Sequence, residues 1–253
     1  MRISALLLPL NSSMRQVFFL LLAMAANFAA VPPAAAYWRG GDTGMSLSIG
    51  AGNYLLSQQA LKSATRSAAT KSVPARSAPV PPARPTPDAT RFTPTASTAG
   101  LDTLVAVYPA AARAQARQGF QQLHAAYPQV ARQLDLPLDD VASGLASFLA
   151  GSYMAYHNSS LDDAAVKPLA AQLRQALSAE SSFARMSNAD KQGMYDQLVM
   201  LGMMLAVTQS QQQQQPDART VAELREIGKR FLEGLLRVDA DRVRLTRAGL
   251  RID

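Results

Sequence analysis

The sequence contains no cysteine, only two histidines and a single tryptophan. Without cysteine there is no disulfide framework, no thiolate metal site and no lipid-bearing N-terminal cysteine, so the folded part must hold together by core packing. His124 and His157 are too few for a usual zinc site, which takes three or four His, Cys or carboxylate ligands. No His-Glu-x-x-His run or Asp-rich loop stands near either one. Structural roles suit both: His157 ends a helix, where a cation complements the negative pole of the dipole, and His124 lies on a boundary face. A Gly-x-Ser-x-Gly elbow is missing, as is a phosphate-cradling glycine loop after a strand. No cofactor and no metal is therefore expected, and no catalytic residue is assigned.

Long apolar runs are scarce. Beyond residue 36, the run Leu198–Val207 is about half of what a membrane-spanning helix needs, so no transmembrane segment is expected in the mature chain. A one-signed folded domain is also missing. The net charge is +7, but residues 101–253 carry as many Arg and Lys as Asp and Glu. The excess sits in Arg2 and Arg15, and in Lys62, Arg66, Lys71, Arg76, Arg84 and Arg91 against Asp88. A nucleic-acid binder would gather its charge on one face of the domain, so no nucleic-acid partner is expected. The basic stretch reads as a solvated linker, with contact to anionic envelope polymers or phospholipid as the functional alternative.

What is present begins with an address. Positive Arg2 and Arg15, an apolar core from Val17 to Phe28, and the small-residue exit Ala34–Ala36 are the three parts of a secretory signal peptide. Translation starting at Met14 would leave a shorter signal of the same kind. The expected organisation is a signal over residues 1–36, a glycine-rich leader over 37–62, a disordered Pro/Ala/Ser-rich linker over 63–100, and a helical domain over 101–253. In the leader, Met45, Leu47 and Ile49 alternate with small residues at strand period, and Trp38 could act as a docking anchor. Seven prolines between Pro74 and Pro94 remove backbone donors and favour extended geometry in the linker.

The domain reads as an all-α bundle of about five helices. Its centre is Ser187–Thr208, with Ser187 as N-cap, Asp190 three residues on, and a second half apolar enough to be buried all round. A first helix is expected from Pro109 to about Ala126, stopped or kinked by Tyr127 and Pro128, with Val130 and Leu134 in a short continuation. A second runs from Pro137 to His157, with Gly144, Gly151 and Ala155 small enough to admit a neighbouring helix closely. A third is capped by Ser160, with Asp163 three residues on, and carries Leu169, Leu173 and Leu177 inward. Gln209–Gln215 reads as a flexible connection to a last helix over Ala218–Val238, whose Glu226–Arg230 and Glu233–Arg237 pairs mark its exposed side. Val243, Leu245, Leu250 and Ile252 are expected to tuck a C-terminal tail against the bundle.

Phe183, Ser187, Asp190, Lys191, Gln192, Tyr195, Leu198, Leu201 and Gly202, with the tail Arg244, Leu245, Thr246, Gly249 and Leu250, resemble an uncharacterised family of bacterial exported proteins. The likeness covers about residues 104–250. It implies fold and export and brings no site residues with it. From the residues themselves, the first functional reading is a non-enzymatic interaction module of the cell envelope, periplasmic or secreted, meeting an envelope protein. One alternative is a small hydrolase of glycan or peptide, with Glu180 as acid and Asp190 or Asp196 as partner. Another is a carrier of an apolar ligand. Met194, Met200, Met203 and Met204 read as core, with a partner or lipid groove, or soft-metal binding, as lesser alternatives.

Overall fold

In the computed structural model of the chain, residues 89–253 are described. The signal segment, the leader with Trp38 and the Met45–Ile49 alternation, and most of the linker fall outside them. Among the described residues there are six helices of eight residues or more: α1 (Ala99–Ala106), α2 (Arg113–Gln133), α3 (Val141–His157), α4 (Val166–Ser178), α6 (Asn188–Gln214) and α7 (Ala218–Leu236). A single turn, α5 (Ser181–Ala184), separates α4 from α6. The all-α bundle expected from the periodicity is the fold, with α1 added to the five anticipated helices. The expected tail is a hairpin, β1 (Val243–Thr246) and β2 (Gly249–Ile252), with Val243 opposite Ile252 and Thr246 opposite Gly249.

α6 is the axis, packed against α1, α2, α3 and α7. Its start is as the sequence predicts: Ser187 Oγ accepts from the Asp190 amide at 3.1 Å. Its end is not, because the helix continues six residues past Thr208, and the expected Gln209–Gln215 loop is its last turns. Tertiary contacts explain the extension. Gln209 and Ser210 are buried, and Gln213 donates to the Asn158 carbonyl at 2.8 Å, while glutamine itself is a fair helix former. The chain leaves the helix at Gln215, just ahead of Pro216, before Asp217 caps α7 through the Thr220 amide at 2.8 Å.

α2 decides the stop-or-kink alternative at Pro128 against a stop. It passes through Tyr127 and Pro128 without ending there. An interior proline costs a helix about 3 kcal/mol, but Tyr127, Val130 and Ala131 are all buried, and packing of that face outweighs the local preference. At its other end Pro109 precedes a 3₁₀ turn, so the α-helix starts only at Arg113. α3 begins at Val141 rather than Pro137, where Asp140 accepts from the Ala142 amide. Asp162, not Ser160, caps the 3₁₀ turn ahead of α4, and Pro168 falls in that helix's first turn, where its missing amide is not needed. α7 ends at Leu236 because Arg237 is left-handed, with φ of 57°. Glu233 consequently pairs with Lys229 instead of Arg237, while Glu226 and Arg230 pair as anticipated.

Packing also starts ahead of Leu101. Phe92 is buried, its amide donates to the Asp139 carbonyl, and the Thr90 carbonyl accepts from Val141, an otherwise unpaired amide in the first turn of α3. Residues 89–98 therefore form a strap. On its other side Lys191 donates to the Ala89 carbonyl at 2.8 Å, and Gln192 bonds Thr95 through both ends of its amide.

The parallel contact of α3 with α6 is made by small residues, as the sequence predicts. A Cβ on Gly151 would come within 2.4 Å of the Gly202 carbonyl oxygen, and one on Gly202 within 2.6 Å of the Ser147 carbonyl oxygen. The two backbones touch. α7 crosses α3 in the same way at Gly228, whose Cβ would meet the Ser152 oxygen at 2.6 Å.

Candidate functional site

The close contact of α3 with α6 leaves space beside it, bounded on one side by α2. Val130 and Leu134 of α2, Ala150 and Met154 of α3, and Met203 and Ala206 of α6 wall a pocket of about 310 Å³. The stretch from Asn158 to Val166 closes one side, contributing Ser160, Leu161 and Asp163. The polar lining is sparse: Gln209, Ser210 and Gln213 on the α6 side, Ser160 and Asp163 on the loop side, and Tyr127 with Ser147 on the remaining wall. An apolar cavity with a few placed polar groups is the usual form of a small-molecule site.

Two of those polar groups are in unusual states. Gln209 is 1% exposed, yet its Nε2 has no hydrogen-bond partner. Asp163 is half-buried, and desolvation, reinforced by the neighbouring Asp162 charge, raises its carboxyl pKa above the ordinary value. Asp162 itself is held by Arg247 at 2.7 Å. At the other wall Tyr127 exchanges a hydrogen bond with Ser147 Oγ at 3.0 Å, and burial pushes its phenol up to about 12.

The methionines divide. Met194, Met200 and Met204 are buried in the core, whereas Met203, also buried from bulk solvent, presents part of its surface to the pocket. The three acids considered for hydrolysis have separate surroundings. Glu180 is half-buried ahead of α5 and caps nothing with its side chain. Asp190 accepts from the Ser187 hydroxyl at 2.7 Å, and Asp196 is buried against His124 Nε2 at 2.9 Å. Among the described residues no three His, Asp or Glu side chains gather into a group able to hold a metal, and no helix is long and apolar enough to cross a membrane.

The two histidines are opposites. The Asp196 hydrogen bond raises the pKa of His124, against a smaller desolvation effect. Desolvation, with Arg244 and Arg225 nearby, lowers that of His157, whose ring packs 4.2 Å from Tyr153 and 4.9 Å from Tyr156. The expectation of a cationic His157 serving the α3 dipole is corrected accordingly, because burial beside two arginines disfavours the charge. An NMR titration should find His124 above the usual 6.5 and His157 below it. The stability from His124 is then complete below its unfolded value and lost as pH rises through the folded one. The stability from a neutral His157 is present above its unfolded value and lost as pH falls through the folded one. Asp196→Asn should return His124 toward 6.5, and an unmoved His124 would contradict the pairing.

A family model, "Family of unknown function (DUF6683)", matches residues 14–253. The chain belongs to this family. The match is wider than the stretch of resemblance in the sequence and takes in the strap as well as the helices. No curated protein and no solved structure matches the chain.

The residues that carry the resemblance do structural work. Phe183 is fully buried, and the Lys191 ammonium lies 5.3 Å above its ring while bonding the strap. Tyr195 meets Phe92 and Tyr127 edge-on, at 5.2 Å and 6.0 Å. The pocket residues Gln209 and Asp163 escaped sequence reasoning because one sat in an apparent loop and the other in an apparent cap. A signal was available: Gly202, Ala206, Gln209 and Gln213 follow one another at steps of four and three, continuing a helical stripe through the polar run.

Proposed function

We propose that this protein is an exported, non-enzymatic helical binding module that takes an apolar ligand into the pocket between α2, α3 and α6. The observation that carries the reading is the pocket itself. The pocket is partly open to solvent, mostly apolar, and about twice the volume of the ~150 Å³ apolar cavity that admits benzene. Export is supported by the positive flank, apolar core and Ala34–Ala36 exit of the N-terminal segment. The separate surroundings of Glu180, Asp190 and Asp196 favour binding over hydrolysis. The carrier reading is favoured over capture of an envelope protein because the apolar surface lies inside the helical layer.

Butylbenzene near its solubility limit should raise the melting temperature of the purified protein, as any ligand of the native state must. In Ala206→Phe the added ring occupies the pocket, so the variant should keep its helical circular dichroism and lose the butylbenzene effect. A wild-type protein whose melting temperature and NMR spectrum ignore butylbenzene would end the pocket reading.

A further inference from the structure

We propose that the pocket's ligand is a neutral, largely apolar molecule of about a dozen non-hydrogen atoms carrying one hydrogen-bond-accepting oxygen, and that Gln209 Nε2 is the donor that recognises it. The inference rests on the pocket being a binding site and goes on to name what fits it. Size follows from volume: about 310 Å³ is roughly double a cavity that accepts six-carbon benzene. Apolar character follows from the Val, Leu, Ala and Met walls.

The head group follows from Gln209. A buried amide donor without a partner is costly, and native structures leave few of them. Gln209 lines the pocket and is almost fully buried, and its Nε2 is covered and unpartnered, so a turn of the side chain toward the lumen is what presents this donor to a ligand. Its neighbour on the same stripe, Gln213, is already committed to Asn158. An oxygen arriving with the ligand would satisfy the orphan donor. A neutral oxygen is favoured there, because Asp163 lies on the same lining without a cationic residue among its neighbours in the pocket wall, whereas the charge of Asp162 is taken up by Arg247. An ammonium head would suit the acids but has no lone pair for Gln209 to use. A ketone, ester or ether oxygen meets both conditions, and the shared chemistry is a neutral acceptor on an apolar body.

Three compounds of similar size separate the possibilities: butylbenzene, 4-phenyl-2-butanone and 3-phenylpropanoate. Gln209→Met keeps the length of the side chain and removes the donor. It should weaken 4-phenyl-2-butanone about tenfold while leaving butylbenzene unchanged or tighter. The propanoate should bind the wild type more weakly than the ketone, and Asp163→Asn should narrow that gap. Infrared spectroscopy of the ketone bound to wild-type protein gives a reading that needs no variant, since its carbonyl stretch should fall at a hydrogen-bonded frequency. A hydrocarbon-like frequency, or equal ketone affinity in wild type and Gln209→Met, would overturn the head-group assignment while butylbenzene binding upheld the pocket. Failure of both neutral compounds to bind would remove the pocket reading and this inference together.

Discussion

Gly202→Ala is expected to destabilise the protein by about 3 kcal/mol, measured as a lower urea midpoint with an unchanged slope. Alanine is the better helix former by about 1 kcal/mol, so local preference alone would predict a gain. The contact decides the sign. The new methyl would lie 2.6 Å from the Ser147 carbonyl oxygen and 2.8 Å from the Phe148 nitrogen, and neither backbone atom can swing aside as a flexible side chain would. α3 and α6 would have to separate, loosening the layer that contains the fully buried Phe148, Met200 and Leu201. Gly151→Ala should behave alike, with its methyl 2.4 Å from the Gly202 oxygen. At Gly234, on the exposed side of α7, an added methyl would meet nothing within 4 Å, and Gly234→Ala should stabilise by about 0.5–1 kcal/mol. Equal responses at Gly202 and Gly234 would show that the helices are not in backbone contact.

Asp140→Ala should cost a comparable amount, about 3 kcal/mol, for electrostatic rather than steric reasons. The Asp140 side chain is fully buried, caps α3 through the Ala142 amide, accepts from the Ser143 hydroxyl at 2.9 Å and pairs with Arg174 of α4. Alanine would remove the cap, worth about 1 kcal/mol, and leave the partly buried guanidinium without its counter-charge. Asp140→Asn keeps a capping oxygen and should lose less than alanine does. Unfolding midpoints for the two variants check the order, and Asn falling below Ala would contradict the capping role. Because the strap's Thr90 carbonyl serves the same helix end, the alanine variant should also speed amide exchange at Val141.

Helix periodicity and capping made the fold legible where local and tertiary preferences agree. Ser187, Asp190 and the apolar run after Leu198 specify α6, and Gly144 and Gly151 announce a close neighbour. Legibility failed where tertiary burial overrides a local signal. Pro128 reads as a stop or a kink, and it is the buried face of Tyr127, Val130 and Ala131 that carries α2 past it. A glutamine run reads as a loop, but Gln209 and Ser210 are covered by neighbouring helices. The strap is the same lesson in reverse. Residues 89–98 are poor in large apolar groups, and their order comes from Lys191 and Gln192, about a hundred positions later in the chain. The candidate site was half visible: the methionine helix was singled out, while the polar group that distinguishes a pocket from a core lay just beyond its expected end.

The strap also fixes a direction. Ala89 is held at Lys191, in the first turn of α6, whereas the pocket is centred near Ala206 on the same helix. At 1.5 Å per residue the two are about 22 Å apart along the axis. Whatever precedes Ala89 thus joins the bundle at the pole remote from the pocket. A fluorophore or affinity handle joined at Ala89 would sit at the end of the bundle remote from the pocket.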